Sequence, residues 1–201
     1  MSKYISDIAF SDSVKKIQKK EGSRSGYQFM AEKRDWANSI SESLRYFIAH
    51  RDSFYIATVN HAGQPYIQHR GGPVGFLKVL DNYTLGFADF SGNRQFISVG
   101  NIHDNKNICL FLMDYPNRKR IKIWGEAEII DTDHKLMPLL RDDNYEARIE
   151  RAMIIKVNAW DANCPQHITH RYTQQELELQ LGSLKDQIRE LEHELERHHQ
   201  D

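Results

Sequence analysis

Four segments of the chain contain residue types that could do chemistry. In Gln68-His69-Arg70-Gly71-Gly72-Pro73 the paired glycines let a ligand approach backbone N–H groups closely. The arginine beside them can grip a phosphate in bidentate fashion. Alone, the segment reads equally as a tight turn with a surface arginine. In Asp89-Phe90-Ser91-Gly92-Asn93-Arg94 a strand end leads into a helix start. Free N–H groups at such a start favour an anion, and Arg94 adds charge. Alone, this is an ordinary helix-capping turn. Together, on neighbouring strands, the two segments would make one dianion pocket, which is more specific than either.

The other two segments are less pointed. In Arg118–Gly125, alternation puts Arg120 and Lys122 on one strand face and Ile121 and Ile123 on the other. A solvated face is the simple reading. In Trp160–Arg171, Cys164, His167 and His170 have metal-ligand spacing. Zinc takes three or four ligands in tetrahedral array, and no further partner is evident, so no metal site is expected. Nothing else supports Cys164 as a nucleophile activated by His167. A polar loop covering a ligand is the better expectation.

These segments need elements to position them. Ser39-Ile40-Ser41-Glu42 is a capping box, followed by Ile40, Leu44, Phe47 and Ile48 on one helical face. Glu21–Gly26 reads as a loop before it. Phe54–Val59 and Pro65–His69 form a hairpin around Asn60-His61-Ala62-Gly63, and Phe76–Val79 with Tyr83–Ala88 form another. Ile108–Met113 is a fully apolar central strand. Arg120–Trp124 alternates, with Gly125 at a bulge, and Ala152–Val157 is the last strand. Short helices are expected over Arg94–His103 and His134–Leu140. This spacing predicts a mainly β (α+β) fold: a six-stranded antiparallel barrel with flanking helices.

The C-terminal stretch is the clearest periodic signal. Thr173-Gln174-Gln175-Glu176 is a capping box, and Leu177, Leu181, Leu184, Ile188, Leu191 and Leu195 follow at spacings of 4, 3, 4, 3 and 4. That is a heptad seam, predicting a short coiled coil, most simply between two copies of the chain. The competing arrangement is a tail helix lying on its own barrel.

Composition narrows the function classes. The 201 residues carry 27 Lys plus Arg against 28 Asp plus Glu, a formal net charge of -1. That balance argues against nucleic acid or a charged membrane surface as the partner. No apolar run approaches the roughly 18–20 residues needed to span a bilayer. The start of the chain lacks a signal-peptide core, and two cysteines make no disulfide scaffold. A cytoplasmic protein with reduced thiols is expected.

Taken as a set, several motifs resemble the pyridoxamine 5'-phosphate oxidase-like flavoproteins. They are Tyr55–Val59 through Gly63-Gln64-Pro65-Tyr66, His69–Pro73 with Gly75-Phe76, Asp89 with Gly92-Asn93-Arg94 and Asn101, and Ile121–Ala127 around Gly125. The loop Asn163–Ile168 resembles a flavin-nucleotide-binding branch of that superfamily, and the match covers roughly residues 40–171. The resemblance implies a split β-barrel homodimer with two FMN molecules at the subunit interface and a small-molecule substrate. Residues 1–50 would be a helical segment packing on the barrel, 51–172 the FMN-binding domain and 173–201 the coiled-coil helix. His69, Arg70, Gly71 and Gly72 would line the FMN site, and Asn93, Arg94 and Ser98 would hold the phosphate. Lys122 lies three residues before Gly125, where the oxidase usually has arginine. Gln166 and His167 would reach the flavin from the partner subunit.

The flavin would supply the redox chemistry and the protein its position and access, so no catalytic acid or base is assigned. His69 and His167 are the residues to test for that role. Phe87, Phe90 and Trp124 are available as apolar walls. The oxidase's Arg-x-His substrate motif does not directly follow the last strand, where the chain continues into Trp160–Arg171 and the coiled coil, so vitamin B6 oxidation is not expected. Two other outcomes stay open: a flavin-binding or sensing module acting through its coiled coil, and a haem-binding barrel using His69, His167 or His170.

Overall fold

The computed structural model describes residues 3–163 and 165–198. The chain divides into two compact units, Met1–Met113 with Arg120–Cys164, and Asp114–Lys119 with Pro165–Asp201.

The larger unit opens with a 3-10 turn, Ile5–Ile8, and helices α1 (Asp12–Lys20), α2 (Arg24–Arg34) and α3 (Glu42–Ala49). The strands are β1 (Ser53–Val59), β2 (Pro65–Gly71), β3 (Lys78–Val79), β4 (Thr84–Phe90), β5 (Asn107–Asp114), β6 (Lys119–Ile130) and β7 (Ile149–Asn163). Helix α4 (Ile97–Asp104) follows β4, and the single turn α5 (Met137–Leu140) follows β6. The sheet is mainly antiparallel and open, in the order β2-β1-β5-β6-β7-β4-β3. With its flanking helices it has the arrangement of a split-barrel α+β fold. It has seven strands where a six-stranded barrel was expected, and the Phe76–Val79 strand of the second hairpin shortens to the two-residue β3, paired with Leu85 and Gly86.

Local chemistry explains the elements that matter for function. β1 and β2 pair from Ser53 opposite Gly71 to Val59 opposite Pro65. Their turn is closed by Asn60, whose side-chain oxygen accepts from Gln64 N at 2.9 Å, and by Gly63 at φ 83°. β5 alternates its burial strictly, with Ile108, Leu110 and Leu112 inward. The register of β6 against β7 slips between Trp124 and Gly125, the bulge that the glycine predicts. A Cβ at Gly125 would lie 2.4 Å from the Lys156 carbonyl oxygen, so only glycine fits.

Ser41 caps α3, accepting from Leu44 N at 3.2 Å, in place of the expected Ser39. The box read two residues early because both serines precede an apolar face. The expected loop shortens to Glu21–Ser23, since Arg24, Ser25 and Gly26 already belong to α2. The core runs through Leu44, Ile48, Phe54, Ile56, Leu85, Phe87, Leu110, Ile123 and Ile155. Each such side chain contributes about 1.5–3 kcal/mol of burial free energy. On the sheet's outer face Trp36 stacks on Trp124 at 4.9 Å, and Phe10 packs against Trp36 at 5.3 Å.

In the second unit, α6 (Gln174–His198) is a 25-residue helix. Its capping box forms as read: Glu176 N donates to Thr173 Oγ1 at 3.2 Å, and Thr173 N donates to Glu176 Oε2 at 2.7 Å. His170 Nδ1 lies 3.0 Å from the Pro116 carbonyl oxygen, and the Arg171 guanidinium lies 4.7 Å from the Tyr115 ring. Among the described residues no helix is long and apolar enough to cross a membrane.

Candidate functional site

A cleft of about 250 Å³ opens where β2, β4, the loop after β4 and the start of α4 meet. Strand periodicity sets its β2 wall. Tyr66, Gln68 and Arg70 stand opposite Thr58, Ile56 and Phe54, so they share the inward face of the sheet. At that strand's end the core gives way to the cleft. Asp89, Phe90, Gly92, Asn93 and Arg94 supply the second wall, and Phe96, Ile97, Ser98 and Val99 the third.

Helix α4 is fixed at this mouth by two side-chain bonds. Ser98 Oγ donates to Gln68 Oε1 at 2.7 Å, and buried Asn101 Nδ2 donates to Thr58 Oγ1 at 2.9 Å. The first N–H groups of the helix, at the third wall of the cleft, lack intrahelical partners. The loop into it carries two non-glycine residues with left-handed backbone, Arg94 at φ 60° and Phe96 at φ 55°. Such conformations cost about 1–3 kcal/mol each and concentrate at ligand clamps. The loop is held at its base, where Ser91 N donates to the Arg148 carbonyl at 2.8 Å and Ser91 Oγ to Glu150 Oε1 at 3.0 Å.

Charge in the cleft is balanced except at one residue. Arg70 pairs with Asp89, and both side chains are largely buried. Arg151 pairs with Glu150 at 3.1 Å and lies 4.8 Å from the Phe96 ring. Arg94 makes no ion pair among the described residues and stays exposed. Burial pushes the Asp89 carboxyl above its ordinary value, with Arg70 and Arg151 opposing. Arg70 Nε is buried and has no hydrogen-bond partner.

The structure thus brings Arg70, Asn93, Arg94 and Ser98 to one cleft. It does not bring the other candidates of the larger unit there. His69 points to the opposite face of β2, edge-on to Tyr55 at 5.5 Å. Gly71 and Gly72 serve packing: Gly72 N donates to the Asp52 carbonyl at 2.9 Å, and a Cβ on Gly72 would meet Phe76 at 2.7 Å. Lys122 lies on the outer face of β6, 3.7 Å from Asp161 and 5.3 Å from the Trp124 ring. Burial pushes the Asp161 carboxyl up, and Lys122 opposes it.

Residues 40–165 match the family described as pyridoxamine 5'-phosphate oxidase. The chain belongs to that family. No curated protein matches its sequence. Among solved structures, HupZ of Group A Streptococcus is 19% identical, with a TM-score of 0.50 over 66% of this chain and 99% of that one. A putative pyridoxamine 5'-phosphate oxidase from Lactobacillus delbrueckii is 19% identical, with a TM-score of 0.47 over 62% and 95%. An FMN-binding protein from Syntrophomonas wolfei is 13% identical, with a TM-score of 0.49 over 73% and 97%. At this identity HupZ shares the fold with this oxidase-family chain.

The remaining candidates of this family member, Gln166 and His167, lie exposed in the second unit, with His167 at φ 62°. Cys164 lies outside the described residues. Among the apolar walls, Phe90 lines the cleft, Phe87 is core and Trp124 stacks on Trp36. Sequence reasoning missed Gln68, Glu150 and Phe96 as lining residues. Gln68 was legible, since it shares the strand face of Arg70. Glu150 was not, because its strand is distant in sequence.

Proposed function

We propose that this cleft binds the phosphate end of FMN and that the protein is an FMN-dependent oxidoreductase acting on a small molecule in the cytoplasm. One observation carries the proposal. Arg70, Asn93 and Arg94, read from two separate segments, converge with Ser98 and the N-terminus of α4 on one cleft.

The donor set fits the group. A phosphate monoester carries about -1.5 to -2 charge and three acceptor oxygens. Arg94 offers an exposed guanidinium 6.0 Å from the Phe96 ring, Arg70 an unpartnered buried Nε, and α4 its first N–H groups. Turning the Gln68 amide would let its nitrogen donate to Ser98, freeing the Ser98 hydroxyl for the phosphate. The pairing of Asp89 with Arg70, and of Glu150 with Arg151, keeps both carboxylates from repelling a dianion. Asn93 holds the loop by accepting from Gln95 N at 3.2 Å.

Bound flavin supplies the electron transfer. The chain's own residues anchor the phosphate and set how deep the ligand sits. About 250 Å³ falls short of the roughly 300–1,000 Å³ of common cofactor pockets. We therefore assign the rest of the site to a homodimer, with His69, Lys122, Gln166 and His167 near the flavin ring, following the family pattern.

The test is the visible spectrum of purified protein, with mass identification of any released cofactor. A flavin spectrum and about one FMN per chain, lost in Arg94→Ala, support the reading. Colourless protein that takes up no added FMN overturns it, and a Soret band replaces it with haem binding. FMN bound without turnover against nicotinamide donors or oxygen would limit the function to flavin binding.

A further inference from the structure

We infer that α6 is a homodimerisation helix, pairing parallel and in register with α6 of a second copy. The seam of Leu177, Leu181, Leu184, Ile188 and Leu191 is unpartnered in the single chain, each residue being 43–59% exposed. With Leu195 the seam has Leu177, Leu184 and Leu191 at d and Leu181, Ile188 and Leu195 at a. The neighbouring e and g positions are Glu178, Lys185 and Glu192, and Gln180, Gln187 and Glu194. A helix meant to lie on a globular core carries a wider apolar stripe that includes e or g. A two-in-seven seam suits another helix.

Length restricts which helix that is. Helix α6 has 25 residues, whereas α2, the next longest described, has 11. At about 1.5 Å per residue, α2 spans about 16 Å, too short for the roughly 27 Å from Leu177 to Leu195. A second α6 matches all of it, layer for layer.

Charge selects the orientation. Parallel and in register, g meets the partner's following e, so Gln180 faces the partner's Lys185 and Gln187 faces the partner's Glu192. No like charges meet. Antiparallel with full overlap, e meets e: Glu178 faces the partner's Glu192, and Lys185 faces the partner's Lys185. That arrangement sets like charges together three times along one dimer, a penalty that works against it. Leucine at d with Ile188 at the central a position favours two strands over three or four. Gly182 and Ser183 fall outside the seam, and a Cβ at Gly182 would meet nothing within 4 Å.

The experiment is site-directed disulfide formation in the full-length chain. Leu184→Cys places a thiol on the dimer axis, and Asp186→Cys places one on the outer face as a control. Both positions are exposed in the single chain, so the substitutions leave its packing intact. The parent chain, with Cys109 and Cys164, gives the baseline. Under mild oxidation, non-reducing electrophoresis should show Leu184→Cys linking into dimers about tenfold or more faster than Asp186→Cys. Equal rates overturn the proposal. Linkage in a mixture of Leu184→Cys and Ile188→Cys chains, without linkage of Leu184→Cys alone, overturns the parallel register. Neither readout depends on flavin.

Discussion

The guanidinium of Arg70, on the edge strand β2, pairs with the carboxylate of Asp89, on β4, five places along the sheet order. β2 and β4 share no backbone ladder. The ion pair spans the open side of the sheet, at the mouth of the cleft. Both side chains are withdrawn from water, at 14% and 8% exposure. A pair so placed has two consequences, one for stability and one for ligand binding: it ties β2 to β4, and it holds Arg70 in the cleft wall.

Arg70→Ala should therefore destabilise the fold by about 3–5 kcal/mol, because it leaves a buried carboxylate without its partner. Urea unfolding at neutral pH measures this. The double variant Arg70→Ala/Asp89→Asn should recover part of the loss, since the uncompensated charge is gone. A single-variant loss under about 0.5 kcal/mol, the usual range for surface changes, would mean that the pair does not hold the two strands together.

Asp89 also predicts a pH dependence. Its folded carboxyl titrates above the ordinary value of 3.8, chiefly because of burial. Above that value the unfolded chain loses the proton first, while the folded chain keeps it. Folded protein then binds more protons, so this group's contribution to stability falls as pH rises through that window. Asparagine cannot titrate. The stability of the wild type relative to Asp89→Asn should decline between acid and neutral pH, read from urea midpoints at several pH values. A difference that grows with pH would contradict the burial argument.

Much of this was legible in the sequence, for identifiable reasons. The apolar run of β5, the alternation of Arg120–Trp124 in β6 and the bulge at Gly125 follow from local patterning. The two anion-binding segments were legible because arginine, glycine and a helix start sit together in sequence. Their meeting at one cleft depends on β2 and β4 closing toward each other, which no local pattern encodes. The surroundings of the glycine pair were not legible for a related reason. Gly71-Gly72 looks like a cradle in sequence, but the ring that excludes a Cβ at Gly72 belongs to Phe76, placed by tertiary packing. Likewise, periodicity places His69 on the strand opposite Tyr55, away from Arg70, though adjacency in sequence suggested a shared site.

Arg94 separates binding from folding. It is exposed and forms no ion pair among the described residues, so Arg94→Ala should leave thermal stability within about 0.5 kcal/mol. A hydrogen bond to a charged group is worth about 1.5–3 kcal/mol, so FMN should bind roughly 10- to 150-fold more weakly. Ser98→Ala removes a neutral donor and should cost about threefold to tenfold. Flavin-fluorescence titration measures both. Equal, unaltered affinities would move the phosphate elsewhere.

Gly72→Ala tests the opposite case, a residue beside the cleft that acts only through packing. The new Cβ would lie 2.7 Å from Phe76 Cγ and 3.0 Å from its Cβ, too close to the root of that side chain for a small rotation to relieve. Phe76 is 3% exposed and stacks on Phe54 at 5.4 Å, so the strain enters the main core. Overpacking of this kind costs about 1–3 kcal/mol. Gly72 N already donates to the Asp52 carbonyl, so it has no N–H to offer a phosphate. The variant should melt earlier yet bind FMN with wild-type affinity at temperatures where it is folded. Weakened binding without lost stability would restore the glycine pair as a phosphate cradle.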